Sequence, residues 1–391
     1  MSPGAALSRA LTAKGALTDP AWQRAVLAVD RTAFVPDTVW AADSDGWFAP
    51  LPRAHATVQR WIGEDVSLIT QIDDGHPTGA DGRGRTPSSS LSQPSLVVAM
   101  LQALHARDGM RILEIGTGTG YNTALLCERF GADAVTSIEI DPGVAEQARD
   151  VLDRLGYKPT LLIGDGAAPA PGDYDLLLST VAVRHLPAAW LAALRPGGTV
   201  VTPWSPGAGF ASACLLRLEV DAPGGGHGRP LADAAFMLMR DPAHRPEPLG
   251  RNAFVDEDAP GVRQGLIQVN PRVVTDRHPG WTLALGHLVP GLGYASYEAD
   301  IDANPVAAGE ATVYVFDRDG SGSWALAEYT PSGAPFETKR YGPRDLWAEI
   351  AAARAAWQAA GSPGRDRLGV DIDPTGHAHL WVDERNRPLA V

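Results

Sequence analysis

The feature that most limits the fold is the run Ile112-Leu113-Glu114-Ile115-Gly116-Thr117-Gly118-Thr119-Gly120-Tyr121. A short apolar segment ends in alternating glycines and enters an amphipathic stretch over residues 121–130. Glycine accepts the positive φ of a sharp strand-to-helix turn and lets backbone approach a ligand closely. A dinucleotide fingerprint requires Gly-x-Gly-x-x-Gly. Counted from Gly116, the third glycine of that pattern falls on Tyr121, so the pattern fails.

The flanking sequence places this turn in a parallel sheet. Strands are predicted over 111–115, 134–140, 161–164, 176–180 and 199–202, with helices over 95–106, 121–130, 143–155 and 188–194. Short continuous apolar strands alternating with amphipathic helices imply a sheet covered on both faces. Residues 214–220 and 234–239 read as a hairpin around a loop at 221–231. Residues 1–90 form an N-terminal segment on the substrate side. Asp19-Pro20 starts a helix there, prolines 36, 50 and 52 suggest loops, and residues 73–90 suggest a mobile loop. The core spans 91–240, and a Pro-rich linker spans 241–280. Residues 281–391 read as an α+β domain with strands at 282–288, 310–316, 324–329 and 337–341, a helix over 345–360, and a last hairpin at 368–372 and 379–382.

The glycine turn with Glu114 before it suits S-adenosylmethionine. That cofactor has no pyrophosphate to seek bare helix-terminal NH groups, and its ammonium can be held by an acid near the strand end, directly or through water. Gly116, Thr117, Gly118, Gly120 and Tyr121 are expected around it. Glu139 ends the second strand, where a carboxylate accepts both ribose hydroxyls. Gly164-Asp165-Gly166 closes the third strand and is expected to bracket adenine; a plain turn is the bland alternative. Thr180 and Val181 end the fourth strand, facing the methyl donor, and His185 follows as a candidate acceptor-pocket residue.

Composition narrows the partners. The net charge of −13 repels phosphates, so nucleic acid and anionic membrane are not expected. No stretch approaches eighteen apolar residues and no signal segment opens the chain, so a cytoplasmic protein is expected. Cys127 and Cys214 sit in apolar runs and read as buried thiols. His377 and His379 lack a third ligand, so no metal is expected.

From about Val29 to Met239 the chain resembles the protein-L-isoaspartate O-methyltransferases. The resemblance rests on Arg31-Thr-Ala-Phe34-Val35-Pro36, Ser90-Leu91-Ser92-Gln93-Pro94, the glycine turn, and Gly164-Asp165-Gly166. It implies an α/β fold: a class I S-adenosylmethionine-dependent methyltransferase (Rossmann-like) core, with S-adenosylhomocysteine as product. It also implies that Ser92, with Ser90 beside it, contacts the acceptor carboxylate; a helix N-cap is the alternative for Ser92. Two features depart from the short repair enzymes: about 150 further residues, and the insertion 75–89 that follows Gln71, Asp73 and Asp74, which are candidate substrate contacts. With Asp366-Arg367-Leu368-Gly369-Val370 and Leu380-Trp381-Val382, the extended form resembles actinobacterial enzymes that accompany lanthipeptides and graspetides. That resemblance implies methylation of an aspartate in a macrocyclised ribosomal peptide, the ester then collapsing to succinimide (aspartimide) or isoaspartate. The alternatives are repair of isoaspartyl proteins and a non-catalytic module that binds S-adenosylmethionine or a peptide.

Overall fold

The structure is a computed structural model that describes residues 3–169, 172–207, 213–221, 224–240, 256–300 and 308–391. The N-terminal segment holds α1 (Pro3–Ala13), α2 (Pro20–Ala28), β1 (Thr38–Ala42), β2 (Phe48–Pro52), α3 (Ala56–Ile62), β3 (Leu68–Ile72) and β4 (Pro87–Leu91). Asp19 caps α2, its carboxylate accepting from the Ala21 and Trp22 NH groups. The four strands form an antiparallel sheet ordered β2-β1-β3-β4. Strands β1 and β2 occupy a stretch that its prolines marked as loop. Pro50 and Pro52 are tolerated because β2 is an edge strand, where a missing NH breaks no internal ladder.

Next come α4 (Pro94–Ala103), β5 (Ile112–Ile115), α5 (Tyr121–Phe130), β6 (Val135–Glu139), α6 (Pro142–Arg154), β7 (Thr160–Ile163), β8 (Tyr174–Ser179), α7 (Ala188–Ala192), β9 (Leu194–Trp204), β10 (Cys214–Val220) and β11 (Gly226–Asp233). The C-terminal part adds β12 (Arg263–Ile267), α8 (Pro279–Leu288), β13 (Leu292–Glu298), β14 (Ala311–Asp317), β15 (Trp324–Tyr329), β16 (Phe336–Tyr341), α9 (Leu346–Ala359), β17 (Leu368–Ile372) and β18 (Ala378–Val382).

The central sheet is ordered β18-β17-β11-β10-β9-β8-β5-β6-β7. Strands β5 to β9 pair in parallel, and β10, β11, β17 and β18 add antiparallel ladders. The chain runs from β5 to β6 on one side and returns to β8 on the other. The carboxyl end of β5, where the glycine turn sits, is therefore the switch point at which open α/β sheets bind ligands.

Adjacent residues along each strand face opposite cores. Ile112, Leu176, Leu178, Val201 and Leu215 face one, shared with buried residues of α1, α2, α4 and α5. Leu113, Leu177, Val200, Leu216 and Leu218 face the other, shared with Trp281, Trp347, Ile350 and Trp357 of α8 and α9. The C-terminal part thus supplies the second cover of the central sheet.

Several sequence expectations change here. The hairpin 368–382, expected in a separate domain, is the edge of the central sheet, because β17 pairs with β11. Of the expected linker, residues 241–255 lie outside the described residues, while β12 within it pairs with β16 in a second sheet ordered β12-β16-β15-β14-β13. Residues 282–288, expected as a strand, belong to α8. Their run is short and mostly apolar, which periodicity cannot assign to strand or helix, and His278 and Pro279 supply the helix start. Residues 226–233, expected mainly as loop, form β11. Gly228 is required there, since a Cβ would lie 1.9 Å from the Arg217 carbonyl, and Pro230 sits at the register shift opposite Leu216. The loop expected to be mobile at 73–90 ends in β4. It is pinned by mutual backbone bonds between Gly84 and Phe48, the Trp40 indole NH donating to Gly82 O, and Arg85 over the Trp47 ring at 4.0 Å. Cys127 and Cys214 are buried free thiols, and burial pushes both up to about 12. Among the described residues, no helix is long and apolar enough to cross a membrane, and no group of three or more His, Cys, Asp or Glu is placed to hold a metal ion.

Candidate functional site

The glycine turn opens onto a cavity of about 320 Å³. Its floor is the end of β5, Gly116–Thr119 and the start of α5; one wall is Pro87–Gln93, and the other is Thr180–Val181 with Ala235–Arg240. The second wall exists because residues 237–239 run beside 182, with Ala182 N donating to Met237 O and Met239 N donating to Ala182 O.

The turn needs its glycines for separate reasons. Gly116 has φ +89°, and a Cβ would fall 2.6 Å from Thr180 Oγ1, which itself donates to Gly116 O at 2.6 Å. Gly120 has φ +86° at the start of α5 and packs on Leu152 and Ala148 of α6. Gly118, at φ +55°, lies against the Ser90 carbonyl and the Ser89 hydroxyl, and its NH donates to Glu139 Oε2 at 2.9 Å. Thr117 lines the cavity and shares a 2.7 Å hydrogen bond with Ser137. Tyr121 also lines it, edge-on to Phe34 at 5.6 Å.

The two acidic residues divide the work. Glu139, on the cavity wall, also accepts from the Asp141 NH at 3.1 Å. Glu114 is fully buried and does not line the cavity. It accepts from Asn122 Nδ2, Thr123 Oγ1 and Ser137 Oγ at 2.5, 2.5 and 2.7 Å. Glu114 is therefore not placed to touch a ligand in the cavity; it holds Asn122, which does line the cavity. Burial raises the Glu114 carboxyl to about 7 despite three donors, and nearby Glu139 adds to the rise.

The remaining expected residues separate. Ser90 and Ser92 line the cavity. Ser92 is not the helix cap, because Gln93 holds that position without a side-chain bond. Buried Arg31 donates to five carbonyls (Trp61, Ile62, Glu64, Val66 and Ser92) and so fixes the Ser92 backbone. Burial lowers its guanidinium to about 10. Thr180, Val181 and Gly166 line the cavity, whereas Gly164 and the exposed Asp165 do not; the Asp165 carboxylate accepts from Ala167 N within its own turn. His185 is exposed and outside the cavity, so an acceptor contact from it is not supported. Asp73 turns inward on its own loop, accepting from the Arg85 and Thr86 NH groups. Gln71 and Asp74 also lie off the cavity surface, each bonded to Arg240. Sequence reasoning missed Arg240, Asn122 and residues 235–239. Only the glycine motif's adjacency pointed to Asn122, and nothing local pointed to the others.

Glu139 and Arg240 are the charged side chains on the cavity surface among the described residues, and Arg240 is paired with Asp74 and Asp141. Burial works against ionised Asp141, but bonds from Gln71, the Val144 NH and Arg240 hold its carboxyl below the usual range. The cavity thus has no free cation to meet a pyrophosphate. It offers the Glu139 carboxylate and exposed glycine backbone, and because the Arg240 charge is already met by Asp74 and Asp141, a cationic sulfonium ligand would face an unopposed carboxylate. Those residues fit S-adenosylmethionine.

Comparison with known proteins gives a consistent result. A family model described as protein-L-isoaspartate(D-aspartate) O-methyltransferase matches residues 81–217. A protein-L-isoaspartate O-methyltransferase of Ignicoccus hospitalis is 36% identical over 183 residues, covering 46% of this chain and 82% of the relative. One of Myxococcus xanthus is 38% identical over 162 residues, covering 41% and 71%. A solved protein-L-isoaspartate O-methyltransferase aligns with 97% of this chain and 99% of its own at TM-score 0.55 and 20% identity, a likeness of fold that extends through the C-terminal part.

Proposed function

This chain belongs to the protein-L-isoaspartate O-methyltransferase family, and from that premise we propose that it methylates a peptide carboxylate held by Ser92. The observation that carries the reading is the joint opening of the glycine turn, Glu139 and the Ser90–Ser92 segment onto one cavity. Gly116–Thr119 and Glu139 would hold S-adenosylmethionine, and Asn122 would be presented to it by Glu114. The cofactor supplies an electrophilic methyl: a carboxylate oxygen–carbon bond forms as the carbon–sulfur bond breaks, its electron pair leaving on sulfur.

The chain's own residues then have modest tasks. A carboxylate is ionised at neutral pH, so no general base is required. What is required is alignment and exclusion of water. The Ser92 hydroxyl has no hydrogen-bond partner among the described residues, which leaves it free to donate to the acceptor. Its backbone is fixed by Arg31. Leu96, Val97, Met100 and Phe236 line the cavity beside it and keep the acceptor region apolar. Once formed, an aspartyl or isoaspartyl ester is open to attack by the following backbone nitrogen. That step expels methoxide, which takes the nitrogen's proton to leave as methanol, and closes a succinimide.

Two acceptors fit this site. An isoaspartyl residue of a linear protein or peptide agrees with the family. An aspartate of a macrocyclised ribosomal peptide is the second reading; it rests on the insertion 75–89, whose residues 82, 84 and 85 pack on Trp40, Phe48 and Trp47 and whose last residues, 87–89, line the cavity wall. The tail motifs lend that reading less support than their resemblance implies, because Leu368, Val370, Leu380 and Val382 are core residues of a sheet edge.

The test is methyl-labelled S-adenosylmethionine with three peptides: linear isoaspartyl, linear aspartyl and macrocyclised aspartyl. Turnover of the first supports repair, and methanol release from the third alone supports tailoring. Absence of label in all three overturns carboxyl methylation.

A further inference from the structure

We propose that Arg240 is a positioning residue that latches the acceptor-side hairpin β3–β4 onto the ribose side of the donor cavity. This rests on the reading above for what the cavity does, but the latch itself is a matter of geometry. Arg240 follows the wall segment 235–239, and its side chain reaches the cavity rim, 27% exposed. Its guanidinium meets four acceptors from separate segments. Nη1 lies 3.1 Å from Asp74 Oδ1 and 3.2 Å from Asp141 Oδ2. Nη2 donates to Gln71 Oε1 at 2.9 Å and to the Ser88 carbonyl at 2.6 Å.

These partners belong to the two halves of the reaction. Gln71 and Ser88 face each other across β3 and β4, joined by Ser88 Oγ donating to Gln71 Oε1 at 2.8 Å. Ser88 begins the run that continues through Ser90 to Ser92. Asp141 caps α6, and its NH donates to Glu139, the carboxylate placed for the ribose. Gln71 closes the ring by donating to Asp141 Oδ2 at 2.9 Å. One planar cation with paired donors therefore ties the strand that leads into the acceptor serines to Asp141, just beyond the strand that ends in the cofactor carboxylate. Lysine, a single point charge, cannot reproduce that fork. In-line transfer depends on the separation of those two parts, and a misplacement of about 1 Å costs on the order of a hundredfold in rate.

The test uses the full chain and four variants: R240Q, R240K, D74N and the double variant R240Q/D74N. Steady-state kinetics are measured at saturating S-adenosylmethionine with whichever of the three peptides the wild type methylates. S-adenosylhomocysteine affinity is measured by calorimetry, and amide exchange of residues 87–92 is followed with S-adenosylhomocysteine bound. R240Q is expected to lower kcat by at least about tenfold with peptide KM changed less than about threefold, the pattern of lost alignment. R240K recovers part of the loss. D74N costs less, and the double variant is no worse than R240Q alone, because both act through one latch. Exchange at 87–92 quickens in R240Q. Unchanged kcat in R240Q, or losses that multiply in the double variant, overturns the proposal. The exchange experiment needs no turnover. A wild type inactive on every peptide, yet protected at 87–92 only when Arg240 is present, refutes the assigned reaction and supports the latch. Equal exchange in wild type and R240Q refutes the latch whatever the activity.

Discussion

Glu114→Gln tests the most unusual electrostatic feature of the site. The carboxyl has no exposed surface, and burial lifts it from 4.5 to about 7. Because the folded state holds the proton more tightly than the unfolded chain, stability contributed by this group is full below about pH 4.5 and is lost as pH rises through about 7. At about 1.4 kcal/mol per tenfold change in proton affinity, the loss is about 3 kcal/mol. His287 works in the opposite direction: burial lowers it from 6.5 to about 4, with nearby His379 adding to the effect, so its contribution is present above 6.5 and lost as pH falls through about 4. In the wild type the two slopes largely offset each other between pH 5 and 6.5, so the diagnostic quantity is the difference between wild type and variant. Urea unfolding at fixed ionic strength from pH 4.5 to 8 measures it. The wild-type advantage over Glu114→Gln should fall by about 3 kcal/mol across that range, while the variant alone grows more stable with pH. A difference that does not change with pH means that Glu114 is ionised throughout, and the argument for its indirect role loses its electrostatic half.

Other outcomes follow from the same geometry. Gly116→Ala places a methyl against Thr180 Oγ1 at φ +89°; calorimetry should show S-adenosylhomocysteine binding at least about tenfold weaker, and a second change, Thr180→Ala, should restore only part, because the backbone strain of about 1–2 kcal/mol remains. Ser92→Ala should lower kcat/KM by roughly 10- to 100-fold, the value of one hydrogen bond to a charged acceptor, with S-adenosylhomocysteine affinity unchanged; equal activity removes Ser92 from the reaction. Cys127 and Cys214, with thiols pushed up to about 12 by burial, should resist a thiol reagent at pH 8 in the native protein and react together on unfolding. Rapid labelling of either without urea contradicts the packing described.

The parts of this protein legible in one sequence are those written in short-range chemistry. The apolar run, the alternating glycines and the carboxylates at 114 and 139 locate the strand, the turn and the acid on the cavity wall, since each needs a residue type at a local spacing. The segment Ser90–Pro94 is marked by family resemblance and not by spacing, and the structure places Ser90 and Ser92 on the cavity surface. Tertiary structure decided everything that depends on distant partners. Residues 282–288 became helix because two tryptophan-rich helices must cover one face of the sheet, while 368–382 became a sheet edge because β11 offered an unpaired ladder. Glu114 turned away from the cavity because Asn122, Thr123 and Ser137 together satisfy a buried carboxyl. Arg240 reached its role only by lying beside Gln71 and Ser88, more than 150 positions earlier in the chain, and Asp141. Hydrogen bonds and burial are properties of separation in space, and a sequence records separation along the chain alone.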